Sequence, residues 1–321
     1  MATETFTFTN SRGQALHAVA CLPAGGAPAC RAALVFLHGY AEHTGRKLHV
    51  FEQLAAAGVA VYAYDMHGHG QSEPKEGLGR ALLLDWRHMV DDACDFAEHA
   101  RQRHAAATTT TTTTTSSSSS SSSNRSHTCK SSAAAAADVL WYLGGYSVGG
   151  LTAAHAVLRQ QGQWAGLLLV SAALGLHTHG LLTRVQAALG GLLNAALPRR
   201  KLVKGLVTQQ LNPDPKWVSQ YDADPLVYHG KARVCTVYQF GKAIKELQRT
   251  RQQLRLPTYV LHATGDKVTQ YEAAREIAAS LPAAEMHTVE GGYHDLLSGA
   301  EVQQYVAGMA GWISRNCSML N

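Results

Sequence analysis

The chain has 321 residues, 46% of them hydrophobic and 16% charged, with a formal charge of +5 at pH 7. That length accommodates one large α/β domain with insertions, and the mild basicity, without a Lys/Arg stripe interleaved with aromatics, argues against nucleic acid as a partner. No secretory signal is read in Met1 to Thr5, no run of about 18 apolar residues suggests a membrane span, and the cysteines Cys21, Cys30, Cys94, Cys129, Cys235 and Cys317 form no CxxC pair. Free thiols and a cytoplasmic location are therefore the expectation.

In chain order, Thr5 to Thr9 and Ala15 to Cys21 read as an opening hairpin around Asn10-Ser11-Arg12-Gly13. The runs Ala32 to Leu37 and Val59 to Tyr64 are continuously apolar, as strands buried on both faces of a parallel sheet must be. A helix is expected over Leu48 to Ala57. Asp65 to Ser72 is a glycine-punctuated loop, and Arg80 to Arg103 has helical apolar spacing. Thr108 to Thr115 and Ser116 to Ser123 then form two homopolymeric tracts, within a segment, 105–137, that has no means of burying a core and is expected to be disordered. It falls between a helix and the next strand, hence at the amino ends of the strands, away from where ligands bind in open α/β sheets.

Val139 to Leu143 reads as another buried strand, Leu151 to Arg159 as a helix, and between them lies Gly145-Tyr146-Ser147-Val148-Gly149. A serine between glycines at a strand-to-helix turn has the form of a nucleophile elbow. Ser147 would be strained there, and Gly145 and Gly149 leave room where any side chain would collide. After a strand at Gly166 to Val170, the alternation stops. Residues 172–255 read as helices and loops with no convincing strand, an inserted cap expected over the carboxyl ends of the sheet. Strands resume at Thr258 to His262 and Glu285 to Val289, and a helix closes the chain from Glu301 to Ile313. The domain plan is thus a core of 1–171 and 256–321 split by a lid of 172–255: a mostly parallel sheet flanked by helices, with the lid after the sixth strand.

A serine needs a base within reach and a group to orient that base. Asp266, after the penultimate strand, and His294, after the last one in Glu290-Gly291-Gly292-Tyr293-His294, follow in the order serine, acid, histidine. Both fall at the carboxyl edge beside Ser147. Two backbone amides are needed for the oxyanion, one from the residue after the nucleophile, Val148, and one from the loop after the third strand, where Tyr40 is the candidate. His67 and His69 lack a third ligand of metal-site type and read as turn residues; neither metal nor cofactor is called for.

These motifs carry a family resemblance. His38-Gly39-Tyr40-Ala41-Glu42-His43-Thr44-Gly45-Arg46, Asp65 with His67 to Ser72, Gly145 to Gly150, Asp224 to Gly230, Gly265 to Thr269 and Glu290 to His294 occur in fixed order. Together they make the chain resemble the monoacylglycerol lipase and lysophospholipase branch of the α/β-hydrolases, in a form like that of plant and algal members. The resemblance implies the α/β-hydrolase fold, hydrolysis of an acyl ester, a Ser147–Asp266–His294 triad, and a bracing role for Glu42 and His43 on the oxyanion loop. The chain departs from the pattern at the elbow, where Tyr146 and Val148 replace the usual His and Met, and at Thr269, where some animal members carry a cysteine.

In the lid, Leu181, Val185, Leu189, Leu193 and Leu197 recur every four residues, followed by Pro198, Arg199, Arg200, Lys201 and Lys204. This pattern suits a helix lining an acyl tunnel. It equally suits one resting its apolar face on a membrane or lipid droplet, with the basic cluster at the headgroups. The substrate readings are a monoacyl lipid, or a smaller soluble ester or lysophospholipid. A non-catalytic binding protein on the same fold is the reading from another class, against which the intact Ser147, Asp266 and His294 stand. A proline-releasing peptidase would need an acidic cluster in the lid to hold a substrate amine, and none is read.

Overall fold

The computed structural model describes residues 2–116, 139–177, 190–203 and 205–320. Its strands are β1 (Ala2–Thr9), β2 (Ala15–Leu22), β3 (Ala32–Leu37), β4 (Val59–Tyr64), β5 (Leu140–Tyr146), β6 (Gly166–Val170), β7 (Lys201–Val203), β8 (Ala232–Arg233), β9 (Thr258–Ala263) and β10 (Ala284–Val289). The helices are α1 (Leu48–Ala56), α2 (Arg87–Ser116), α3 (Val148–Arg159), α4 (Gly190–Ala196), α5 (Thr208–Leu211), α6 (Pro215–Asp222), α7 (Val234–Thr250), α8 (Tyr271–Ser280) and α9 (Val302–Leu320).

Eight strands form one sheet in the order β1-β2-β4-β3-β5-β6-β9-β10. The opening hairpin is antiparallel and β2 joins β4 antiparallel; every pairing from β4 to β10 is parallel. Parallel strands need crossovers, and the helices that supply them bury both faces. All six residues of β3 and all six of β4 are therefore buried, which is why neither shows polar alternation. The two faces are still separable. Ala33, Val35 and Leu37 pack in a core with α2, α3 and α8, whereas Ala32, Leu34 and Phe36 pack in one with α1 and α9. Connections from β3 leave in one direction and those from β5 in the other, so the gap between the carboxyl ends of β3 and β5 is the switch point where α/β sheets bind ligands. These features define the α/β-hydrolase fold.

Three expectations differ from the structure. Residues 172–255 contain the short antiparallel pair β7–β8, three and two residues long, too short and too exposed on β7 for any alternation to register. The helix expected from Arg80 starts at Arg87. It also continues to Ser116, so the first part of the segment expected to be disordered is helical. At its start, Thr108 Oγ1 and Thr109 Oγ1 donate to the carbonyls of His104 and Ala105, back-bonds that satisfy a threonine hydroxyl within a helix. The rest of that segment lies outside the described residues, as do Leu181, Val185 and Leu189 of the apolar stripe.

Candidate active site

Ser147 sits between β5 and α3 with φ 55° and ψ −120°, a left-handed conformation that costs a non-glycine residue energy. The surroundings hold it there. Its amide donates to Val170 O (3.0 Å), and its carbonyl accepts from Leu151 N and Ala173 N. The turn is possible only with glycine beside it. A Cβ on Gly149 would strike the carbonyl oxygens of Leu37 and His38, and one on Gly145 would strike the backbone of Gly149. The two elbow glycines thus let β3, β5 and α3 close together.

His294 and Asp266 reach Ser147 from the loops after β10 and β9. His294 Nε2 lies 3.1 Å from Ser147 Oγ, and Nδ1 lies 2.7 Å from Asp266 Oδ2. All three side chains are buried. Asp266 also accepts from the amides of Val268 (2.7 Å) and Thr269 (2.9 Å) and from Thr269 Oγ1 (2.7 Å). Burial raises the Asp266 carboxyl, but the adjacent His294 and the hydrogen bonds of His262, His294 and the Thr269 amide outweigh it, holding the group well below the usual carboxylate range. With Asp266 an acceptor, Nδ1 carries the hydrogen and Nε2 presents its lone pair to the Ser147 hydroxyl.

The other two predicted residues lie on the elbow and on the loop after β3. The Val148 amide opens α3 and has no acceptor within its helix. The Gly39 amide donates to Glu42 Oε1 (2.9 Å), which leaves Tyr40 as the next amide of the loop after β3. His38 fixes that loop: Nδ1 donates to Gly39 O (2.7 Å) and Nε2 accepts from Met66 N (2.8 Å). Glu42 therefore braces the loop as the resemblance implies. His43 holds the same loop from the insert side, bonding Asp224 (3.0 Å), which Arg46 also meets at 3.3 Å. Arg46 in turn lies over the rings of Trp217 and Tyr221, so the Asp224 segment ties the insert to the loop after β3.

Sequence reasoning missed four neighbours. Thr269 Oγ1 touches Asp266 and lies 3.3 Å from both His262 Nε2 and His294 Nδ1, so Thr269 and His262 hold the same carboxylate oxygen that His294 meets. Lys47, fully buried, bonds both carboxylate oxygens of Asp295 (2.9 and 3.0 Å) and lies 3.3 Å from Glu42. Burial lowers the Lys47 ammonium, but Asp295 and Glu42 more than compensate and leave it raised. Its Nζ is 4.6 Å from the centre of the Tyr146 ring, and that ring is 5.0 Å from the His294 imidazole. No local pattern marks this pair, because 248 residues separate Lys47 from Asp295. Among the described residues, no three His, Cys, Asp or Glu side chains gather to hold a metal ion.

Fold and site together define a serine hydrolase of the α/β-hydrolase class. Residues 28–115 and 127–301 match the family model described as serine aminopeptidase, S33, and the chain belongs to that family. It is similar to the monoacylglycerol lipase of Mycolicibacterium smegmatis, 25% identical over 287 residues that cover 88% of each chain. It is also 25% identical to the monoglyceride lipase of Rattus norvegicus, over 82% of this chain and 76% of that one. Among solved structures, a soluble variant of the monoglyceride lipase of Saccharomyces cerevisiae shares the fold with a TM-score of 0.77 at 15% identity, covering 98% of this chain and 96% of that one. The chain is therefore a monoacylglycerol lipase-like serine hydrolase.

Proposed function

We propose that this chain hydrolyses the ester of a monoacylglycerol or similar monoacyl lipid through an acyl-enzyme on Ser147. The observation that supports the reading most is the unbroken relay Asp266–His294–Ser147, 2.7 and 3.1 Å, ending on a strained serine. In the first half-reaction Ser147 Oγ attacks the ester carbonyl carbon while His294 Nε2 takes its proton. The negative oxygen of the tetrahedral species is held by the Tyr40 and Val148 amides, and Asp266 balances the imidazolium. Collapse breaks the C–O bond to the alcohol, which leaves with the proton from His294. Water then attacks the acyl-enzyme with His294 again as base, releasing the acid and restoring Ser147.

The monoacyl-lipid substrate rests on the named relatives. Contact with a lipid surface rests on the insert, where Leu192, Leu197, Leu202 and Leu206 are exposed near Arg199, Arg200 and Lys201, an apolar and basic surface suited to anionic lipid. No helix among the described residues is long and apolar enough to cross a membrane. The test compares a long-chain monoacylglycerol, the matching lysophospholipid and a short soluble ester, each with wild type and Ser147→Ala. A dominant monoacylglycerol rate that Ser147→Ala abolishes is expected. Turnover of the short ester alone would move the substrate to the soluble esters, and undiminished activity in Ser147→Ala would remove the mechanism.

A further inference from the structure

β9 is buried along all six residues, and one of them is a histidine. Side chains alternate along a strand, so His262 shares a face with Val260, which packs with α8, while Tyr259, Leu261 and Ala263 pack in the opposite core. Nothing in that packing calls for an imidazole. A fully buried polar ring costs stability unless its nitrogens are bonded, and an apolar side chain would fill the place without that cost.

The bonding of His262 is one-sided. Nδ1 has no hydrogen-bond partner among the described residues. Tyr271, whose ring centre is 6.2 Å away, engages Thr288 Oγ1 instead (2.9 Å). Nε2 lies 3.3 Å from Asp266 Oδ2 and 3.3 Å from Thr269 Oγ1. A hydrogen on Nδ1 would have no acceptor and would turn the Nε2 lone pair toward a carboxylate. A hydrogen on Nε2 meets two oxygens, so that is the tautomer the surroundings select.

The Thr269 hydroxyl has a single hydrogen. Asp266 Oδ2 is nearer to it (2.7 Å) than Ser171 O (3.2 Å), so Oγ1 gives that hydrogen to the acid and keeps its lone pairs for His262. Oδ2 thus receives His294 Nδ1–H, the Thr269 hydroxyl and His262 Nε2–H, while Oδ1 receives the amides of Val268 and Thr269. The amides and the hydroxyl belong to the acid's own turn and move with it. His262 comes from the strand before that turn, and so fixes Oδ2 relative to the sheet that also carries the elbow.

The contact has an electrical side as well. A hydrogen bond to a carboxylate oxygen draws charge from it and weakens its hold on an imidazolium at His294. The other titratable groups facing the relay are Tyr146 against the His294 ring, Lys47 against Tyr146 and Asp295 next in the chain. His177 is there too, its Nε2 meeting the Asp266 carbonyl rather than the carboxylate (3.1 Å). A substitution at His262 leaves all of these in place.

We propose that His262 is a positioning residue for the ester hydrolysis: its Nε2–H, shared between Asp266 and Thr269, pins Oδ2 on His294 and tempers its charge, which keeps His294 a free base to lower pH. The proposal rests on the relay mechanism given above.

The test measures kcat and KM against pH for p-nitrophenyl butyrate with wild type, His262→Leu and His262→Gln. The acid limb of kcat/KM reports the base of the free enzyme. His262→Leu should move that limb up by about 0.5 pH unit and lower kcat by about tenfold, with KM within about twofold of wild type. His262→Gln sets an amide N–H where Nε2–H was and should return the limb to within about 0.2 unit of wild type. A limb in His262→Leu that coincides with wild type overturns the proposal, as does one displaced equally in both variants. The tautomer of His262 in the wild-type enzyme, read from its nitrogen chemical shifts, does not depend on how either variant folds. The hydrogen is expected on Nε2, and its presence on Nδ1 overturns the proposal. Failure of the hydrolase reading looks different: wild type does not turn the ester over, or Ser147→Ala does so at the wild-type rate.

Discussion

His294 and Asp295 are consecutive, yet their side chains enter two separate buried polar clusters. His294 joins Ser147 and Asp266, where a lone pair faces a hydroxyl and a proton has somewhere to go. Asp295 joins Lys47 and Glu42, where opposite charges face each other and nothing is left to react. The first arrangement suits turnover and the second suits holding three loops in register: the loop after β3 through Glu42, the elbow through Tyr146 and the histidine loop through Asp295. Burial alone does not separate them, since both clusters are buried. The difference lies in whether an unsaturated nucleophile–base contact remains.

Substitutions should part the two clusters cleanly. Ser147→Ala should lower kcat by roughly 10⁶ with little change in thermal midpoint, because members of such a relay act as a unit. Asp266→Asn should cost about 10⁴ in kcat by favouring the wrong His294 tautomer. Lys47→Met should act mainly on stability, losing about 3–5 kcal/mol in urea unfolding because Asp295 is left charged and unpaired, and Lys47→Met with Asp295→Leu should recover much of that. Equal thermal midpoints for wild type and Lys47→Met would break the comparison. Thr269→Val removes a hydroxyl bonded to Asp266 and should lower kcat by about 5- to 10-fold, with substrate affinity nearly unchanged.

The clusters should also differ in pH dependence. Asp266 is depressed in the folded protein, so its contribution is present above the unfolded carboxylate value of about 4 and is lost as pH falls toward the depressed value. Lys47 is raised, so its contribution is complete below the unfolded value of about 10.4 and is lost as pH rises through the folded one. Unfolding free energies measured from pH 2 to 11 should therefore show a flatter acid limb in Asp266→Asn and a flatter alkaline limb in Lys47→Met. Parallel limbs in either variant would contradict the assignment of that limb.

The same contrast explains what the sequence could reveal. Ser147 and Asp266 follow the buried strands β5 and β9, and His294 follows the half-buried edge strand β10, so their position at one end of the sheet follows from strand–helix alternation. The elbow glycines were legible because the turn tolerates no side chain. Lys47 and Asp295 carry no such mark: a lysine at the start of a helix reads as solvated, and its partner is fixed only by the crossing of distant loops. His262 reads as one more strand residue and Thr269 as a place where a cysteine is missing; their contact with Asp266 arises only when β9 and the loop after it fold back. The pair β7–β8 escaped because so few residues leave no period to detect.

The most direct measurement is the site of covalent labelling by an organophosphonate ester, mapped by peptide mass spectrometry alongside loss of esterase activity. The relay predicts a single adduct on Ser147, formed in step with inactivation and much slower in the Asp266→Asn enzyme. Complete inactivation with the label on another residue, or full activity with Ser147 labelled, would contradict it.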